Sequence, residues 1–144
     1  LELLGPIVYT EEEKAFGKKI QEVTGKPQVG LDGSIKPMIE TRENPGGGST
    51  DVGDVSWNVP NINLSVTTAP VDTPWHSWAV VACGGMSIGH KGMVYAAKAM
   101  AMTMLDLFED PKLVEKVKAE YTERKGNEVY KAIVPEGPPP IPSR

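Results

Sequence analysis

His76, held between Pro74-Trp75 and Ser77-Trp78, is one of only two histidines in a chain of 144 residues. An imidazole can ligate a metal, carry a proton near neutral pH, or serve as a hydrogen-bonded structural group. Its bulky neighbours are expected to flank the ring with aromatic surface and to restrict its rotamers by packing. The other histidine, His90, lies in the glycine-rich run GGMSIGHKGM from Gly84 to Met93. There it, or Ser87, could bind an anion near a helix start or simply cap the helix. A second glycine-rich run, Gly46-Gly47-Gly48-Ser49-Thr50-Asp51, lets backbone approach a ligand closely and presents successive N–H groups, which suits a carboxylate or amide oxygen. The same run also reads as a turn into a helix capped by Ser49, Thr50 or Asp51. It is no nucleotide loop, because no lysine stands at the P-loop position and no G-x-G-x-x-G opens a helix after a strand.

These residues do not make a complete catalytic centre by themselves. A zinc site needs about three or four protein ligands. The supply is His76, His90, Cys83, Asp51, Asp54 and Asp72 at irregular spacing, with no H-E-x-x-H and no C-x-x-C. A triad drawn from Ser49, His76 and Asp51 lacks the G-x-S-x-G elbow that would present its nucleophile. Cys83 precedes Gly84-Gly85 and reads as a small buried residue more readily than as a reactive thiol.

The elements that must position these groups are legible from local signals. Thr10 and Glu13 have the T-x-x-E spacing of a capping box, and Ala15, Phe16, Ile20 and Val23 recur at helical spacing until Gly25 and Pro27. Glu11, Glu12 and Glu13 sit in that first turn, where acids favour the helix dipole, and are not read as a catalytic base. From Lys26 to Pro45 the chain is connection or weak strand, with a short apolar piece at Met38 and Ile39. Asn61 to Thr67 alternates, with Ile62, Leu64 and Val66 on one side and Pro60 and Pro70 outside both ends, which predicts a strand. His76 would then follow a sheet edge, where irregular segments collect functional groups. A long helix is predicted from Ile88 or Lys91 to Phe108, its face of Val94, Ala97, Met100, Ala101, Met104 and Phe108 largely buried. Asp110 caps the next helix, with Pro111 in its first turn, and that helix runs through Leu113, Val114, Val117 and Tyr121 to Gly126. The proline-rich tail from Ile133 has no core pattern.

Composition narrows the class. An apolar fraction of 40%, 24% charged residues and a net charge of -4 describe an ordinary soluble chain long enough for one core. The acidic balance and the mixing of Lys with Glu argue against a nucleic-acid partner, which needs a concentrated basic face. Lys91, Lys98 and Asp106 interrupt the apolar run to Phe108, so it fails as a membrane span. With one cysteine and no basic-then-apolar leader, the expected compartment is cytoplasmic.

Three linked motifs, GGGSTDVGDVSWNVP, TPWHSW and GGMSIGHKGM, occur in that order with short gaps. Together they resemble the carboxy-terminal catalytic-domain segment of the dinuclear zinc peptidase/amidohydrolase family. That family includes carboxypeptidase G, aminoacylase and indole-acetyl-amino-acid hydrolases. The nearest branch is that of the aminobenzoyl-glutamate hydrolase B subunits. The likeness runs from LGPIVYTEEEKAF to the DLFEDPKL helices and the closing PPPIP. It implies an α/β fold, namely the part of an α/β/α sandwich that follows a lid domain, with residues 1–132 in the catalytic domain and 133–144 as an extended tail. It implies that His76 is a metal ligand, and that Gly48, Ser49, Thr50 and Asp51 form a substrate-side turn. Other branches carry Glu-Asp where this chain has Thr50-Asp51, and no family role transfers to His90.

For the complete protein the resemblance implies two zinc ions, or a similar divalent metal, and hydrolysis of an N-acyl amino acid such as p-aminobenzoyl-glutamate. The remaining ligands and the general-base glutamate would lie in an amino-terminal half, and a homo-oligomer is possible for the family. This chain alone is expected to be inactive. The alternatives are a non-catalytic scaffold or association module that retains the fold, and a self-contained hydrolase using Ser49 or Cys83.

Overall fold

A computed structural model describes residues 1–38, 50–134, 137, 138 and 141. The described residues form five helices: α1 (Glu11–Val23), α2 (Val52–Ser56), α3 (Trp78–Gly84), α4 (Ser87–Glu109) and α5 (Pro111–Lys125). They account for half of the described residues, and no strand occurs among these. The expected α/β sandwich is therefore corrected to a helical architecture, and residues 61–67 form no strand. Alternation only offers two faces; a strand needs a neighbour to take its N–H and C=O groups in register. Where extended segments do meet here, isolated bonds join them: Ile7 N–H to the Gly33 carbonyl (2.9 Å) and Val71 N–H to the Gly30 carbonyl (3.0 Å). With no sheet edge before it, His76 loses that argument for its placement.

The chain divides into two compact units, Leu1–Glu43 with Asn63–Glu109, and Asn44–Ile62 with Asp110–Arg144. In the first, α1 begins as its spacing predicts. The Glu13 N–H donates to Thr10 Oγ1 (3.2 Å), and the Thr10 N–H donates to Glu13 Oε2 (2.7 Å). Of its apolar positions Ile20 is buried, Phe16 packs partly on the core and Val23 is exposed. The tie that the periodicity does not show is Gln21, which is fully buried. Its amide accepts from Gly30 N–H (2.7 Å) and donates to the Val71 carbonyl (2.9 Å), so one side chain joins three segments. A buried amide is tolerable only when both of its ends are paired in this way.

The core of this unit gathers Tyr9, Ile20, Ala79, Cys83 and Ile88, with Ile7, Phe16, Leu31, Ala69 and Ala82 packed on it. Helix α3 lies against α4, and glycines set how closely. A Cβ built on Gly89 would lie 2.4 Å from the Gly84 carbonyl oxygen, and one on Gly92 would lie 2.7 Å from that of Thr67. Gly89 and Gly92 of GGMSIGHKGM thus serve close backbone approach.

Helix α4 starts at Ser87, earlier than its residue pattern predicts, and its burial is reversed. Ile88, Gly89, Gly92 and Ala99 are covered, whereas Val94, Met100, Met104 and Phe108, expected inside, are exposed.

Lys91 anchors α4 to α1. Its ammonium donates to Glu13 Oε2 (2.5 Å) and to the Val8 carbonyl (3.0 Å), and stands 5.7 Å from the centre of the Tyr9 ring. Burial alone would push the Glu13 carboxyl up. Hydrogen bonds from Lys91, Ser87 and the Thr10 backbone outweigh that and hold it at about 2. Because the folded value lies below the ordinary 4.5, this carboxylate contributes stability that is complete above that value and is lost as pH falls toward 2. Urea unfolding near pH 6 and near pH 3 is expected to show the loss, and Glu13→Gln to show a shallower acid dependence than the unaltered chain.

In the second unit, Asp110 caps α5 by accepting from Lys112 N–H (2.9 Å), with Pro111 in the first turn and Gly126 at φ 56° past the end. Tyr121 of α5 donates to the Trp57 carbonyl at the end of α2 (2.6 Å) and Tyr130 to Asp54 Oδ1 (2.7 Å), fastening α2 to α5 and to the chain after it. No helix among the described residues is long and apolar enough to cross a membrane.

Candidate functional site

The turn that leads into α3 is built by Thr73, Pro74 and Ser77. The buried Thr73 hydroxyl donates to the Pro70 carbonyl (2.7 Å), and the Ser77 hydroxyl donates to the Pro74 carbonyl (2.5 Å). Between these fixed points His76 adopts φ 61°, and Asp72 adopts φ 58°. These are the two non-glycine residues with left-handed backbone among those described. Such a conformation costs an L-residue about 1 kcal/mol or more, and histidine is among the side chains that accept it most readily. Strain of this kind persists where surrounding bonds hold the turn, and here the Thr73 and Ser77 hydroxyls bond to backbone carbonyls on either side.

The imidazole is exposed. Its tryptophan neighbours do not hold it as expected, since Trp75 is 69% and Trp78 59% exposed. A buried tryptophan would cost roughly 3 to 5 kcal/mol on truncation. At this exposure Trp75→Ala is expected to shift the denaturation midpoint of this chain by the equivalent of less than about 0.5 kcal/mol. A larger loss would make it a packing residue, and the loop would then be more closed than its exposure indicates.

Thr50 and Asp51 belong to the second unit and are both exposed. The Thr50 hydroxyl accepts from Val52 N–H (3.3 Å) at the entrance to α2, while the Asp51 side chain makes no capping bond. Asp51 Oδ1 instead accepts from the Thr50 hydroxyl (3.5 Å). Gly48 and Ser49, with the rest of the glycine triplet and Ile39, lie outside the described residues.

Other candidates fall away or stay structural. Cys83 is fully buried, and that burial raises its thiol pKa, so it is a core residue and not a nucleophile. Asp54 is taken by Tyr130. His90 is exposed in the first turns of α4, with its N–H donated to the Met86 carbonyl (3.0 Å). A groove of about 410 Å³ between α1 and the start of α4 is lined by Phe16, Met86, Ile88 and the Glu13–Lys91 pair. Two of its charged groups, Glu13 and Lys91, are paired with each other, and Glu12 also lines it. Among the described residues no three His, Cys, Asp or Glu side chains cluster closely enough to hold a metal. His76 is therefore presented as a single potential donor. What residue types and spacing do not signal is the strained backbone beneath it, because outside glycine no sequence pattern marks such a conformation.

No family model matches the chain, and no solved structure matches it. Among curated proteins it is similar to the B subunit of p-aminobenzoyl-glutamate hydrolase from Escherichia coli (strain K12), with 38% identity over 132 residues. That match takes in 92% of this chain but spans only 26% of the length of the relative.

Proposed function

We propose that this chain is a portion of a metal-dependent amidohydrolase that cleaves N-acyl amino acids, p-aminobenzoyl-glutamate being the substrate to test first. The observation that carries the proposal is the 38% identity across nearly all of the chain to part of a hydrolase of that name. The exposed His76, at φ 61° in a turn whose Thr73 and Ser77 hydroxyls are bonded to backbone carbonyls, supports it from the chain's own geometry. One ligand fits; a complete set does not, because no group of three or more donors gathers among the described residues. His76 would hold metal through a ring nitrogen, with the other ligands supplied by polypeptide outside this chain. Two divalent ions, zinc in the family resembled, would supply Lewis-acid polarisation of the scissile carbonyl and a water acidic enough to attack near neutral pH.

The chain's own contribution is positional. The Pro74–Ser77 turn would set the backbone from which the imidazole projects before any metal arrives, so the backbone part of the ordering entropy would be lost during folding and not during binding. The Gly48-Ser49-Thr50-Asp51 turn would face the substrate, with Thr50 as donor. Asp51 would act as an acceptor there, which suits an amide N–H better than a carboxylate. Alone, the chain would bind metal weakly and hydrolyse nothing.

The test is a chimera in which this chain replaces the matched stretch of the relative. Hydrolysis of p-aminobenzoyl-glutamate that is lost on chelation and restored by zinc is the expected result. A folded chimera with no metal-dependent hydrolysis overturns the reading. It would favour the second one, an association module without catalysis, for which the uncovered apolar side of α4 speaks.

A further inference from the structure

Helix α4 is apolar nearly all the way round, a pattern that belongs to helices covered on every side. Its inner side is short-chained and covered, through Ile88, Gly92 and Ala99. Its outer side carries Met93, Val94, Met100, Met104, Leu105 and Phe108, all between 47% and 80% exposed. At 100° and 1.5 Å per residue these six form one stripe about 22 Å long, and no charged residue falls within it. Single exposed apolar residues are ordinary, but a continuous stripe of large ones marks an interface.

The comparison indicates what covers it. A match of 132 residues within a chain of 144 leaves out only its ends, so α4 lies inside it. In the relative that stretch is about a quarter of a much longer polypeptide. We infer that the Met93–Phe108 stripe is an internal docking surface, covered by the polypeptide of the complete hydrolase that lies outside this chain. This rests on the reading of the chain as a portion of that hydrolase. An uncharged stripe calls for an apolar occupant, and three methionines let the contact adapt without a unique jigsaw fit.

The experiment places a thiol on the stripe, with buried Cys83 as an internal reporter of folding. Met104→Cys is made in this chain and in the chimera, with the relative's own cysteines changed to serine, and maleimide labelling is followed at both thiols. In this chain alone, monomeric by sedimentation, Cys83 should be protected and the residue 104 thiol should label freely. In the chimera labelling at 104 should slow by about 100-fold or more, as for a site reached only through local opening.

Free labelling at 104 in a chimera that protects Cys83 overturns the inference. So does protection of 104 in the isolated chain: as a dimer the cover is a second copy, and as a monomer it is this chain itself. If Cys83 labels in the chimera, the splice has not folded. This chain is then co-expressed with the relative lacking its matched stretch, and failure to co-purify overturns the proposal. Protection without zinc-dependent hydrolysis would leave the interface standing and remove the proposed activity; hydrolysis with an open 104 would do the reverse.

Discussion

In the chimera, the metal-ligand role proposed for His76 predicts that His76→Ala lowers the rate of p-aminobenzoyl-glutamate cleavage by at least about 100-fold, since removing even an outer-sphere partner of a metal ligand costs 10- to 100-fold. Bound metal should fall with the rate, because a lost ligand weakens retention and geometry together. The fold should survive, as the His76 side chain is exposed and the turn beneath it is held by Thr73 and Ser77. His76→Gly separates the two roles. It relieves the left-handed backbone while removing the imidazole, so stability should rise slightly as activity disappears. Full metal content and rate in His76→Ala, measured by metal analysis and initial velocities, would refute the assignment.

Gly89→Ala is expected to destabilise the chain by about 3 kcal/mol, at the upper end for overpacking, because the new methyl meets backbone and not a movable side chain. A Cβ there would stand 2.4 Å from the Gly84 carbonyl oxygen and 2.6 Å from the Gly84 Cα. No rotamer change relieves that contact; α3 and α4 must part, and Cys83 and Ile88 lie in the core they close over. Gly84→Ala is the control. Nothing lies within 4 Å of a Cβ at that position, so the substitution should be neutral or stabilising by up to about 1 kcal/mol through helix propensity. Urea midpoints of the two variants should move in opposite directions or differ by most of the predicted loss. Equal shifts would mean that the helices are less closely packed than described.

These two glycines show how the motif GGMSIGHKGM is misread from sequence. Glycines beside a histidine and a serine suggest an anion site, yet Gly89 and Gly92 are there so that α4 can approach Gly84 and Thr67. Spacing alone does not distinguish a glycine that admits a ligand from one that admits another backbone. His76 is the converse case. TPWHSW singles it out by residue type, while the flanking tryptophans, read as its packing, proved to be exposed.

By itself the sequence determined the local events. The capping box at Thr10 and Glu13, the Asp110-Pro111 start, the Gly126 stop and the unbroken helix-forming run to Glu109 each act within a few residues. Helices α1, α4 and α5 follow from them because helical hydrogen bonds close within four residues. Only tertiary structure decided what depends on distant chain. Asn61–Thr67 alternates as a strand should, but alternation carries no information on whether a partner lies alongside, and none does among the described residues. Periodicity likewise found an apolar face on α4 without indicating which side would be covered. The side with Gly92 and Ala99 is the one that allows close approach, so it went inward and left the larger side chains outside. Gln21 reads as a polar position on a helix; its burial exists only because Gly30 and Val71 arrive at both ends of its amide.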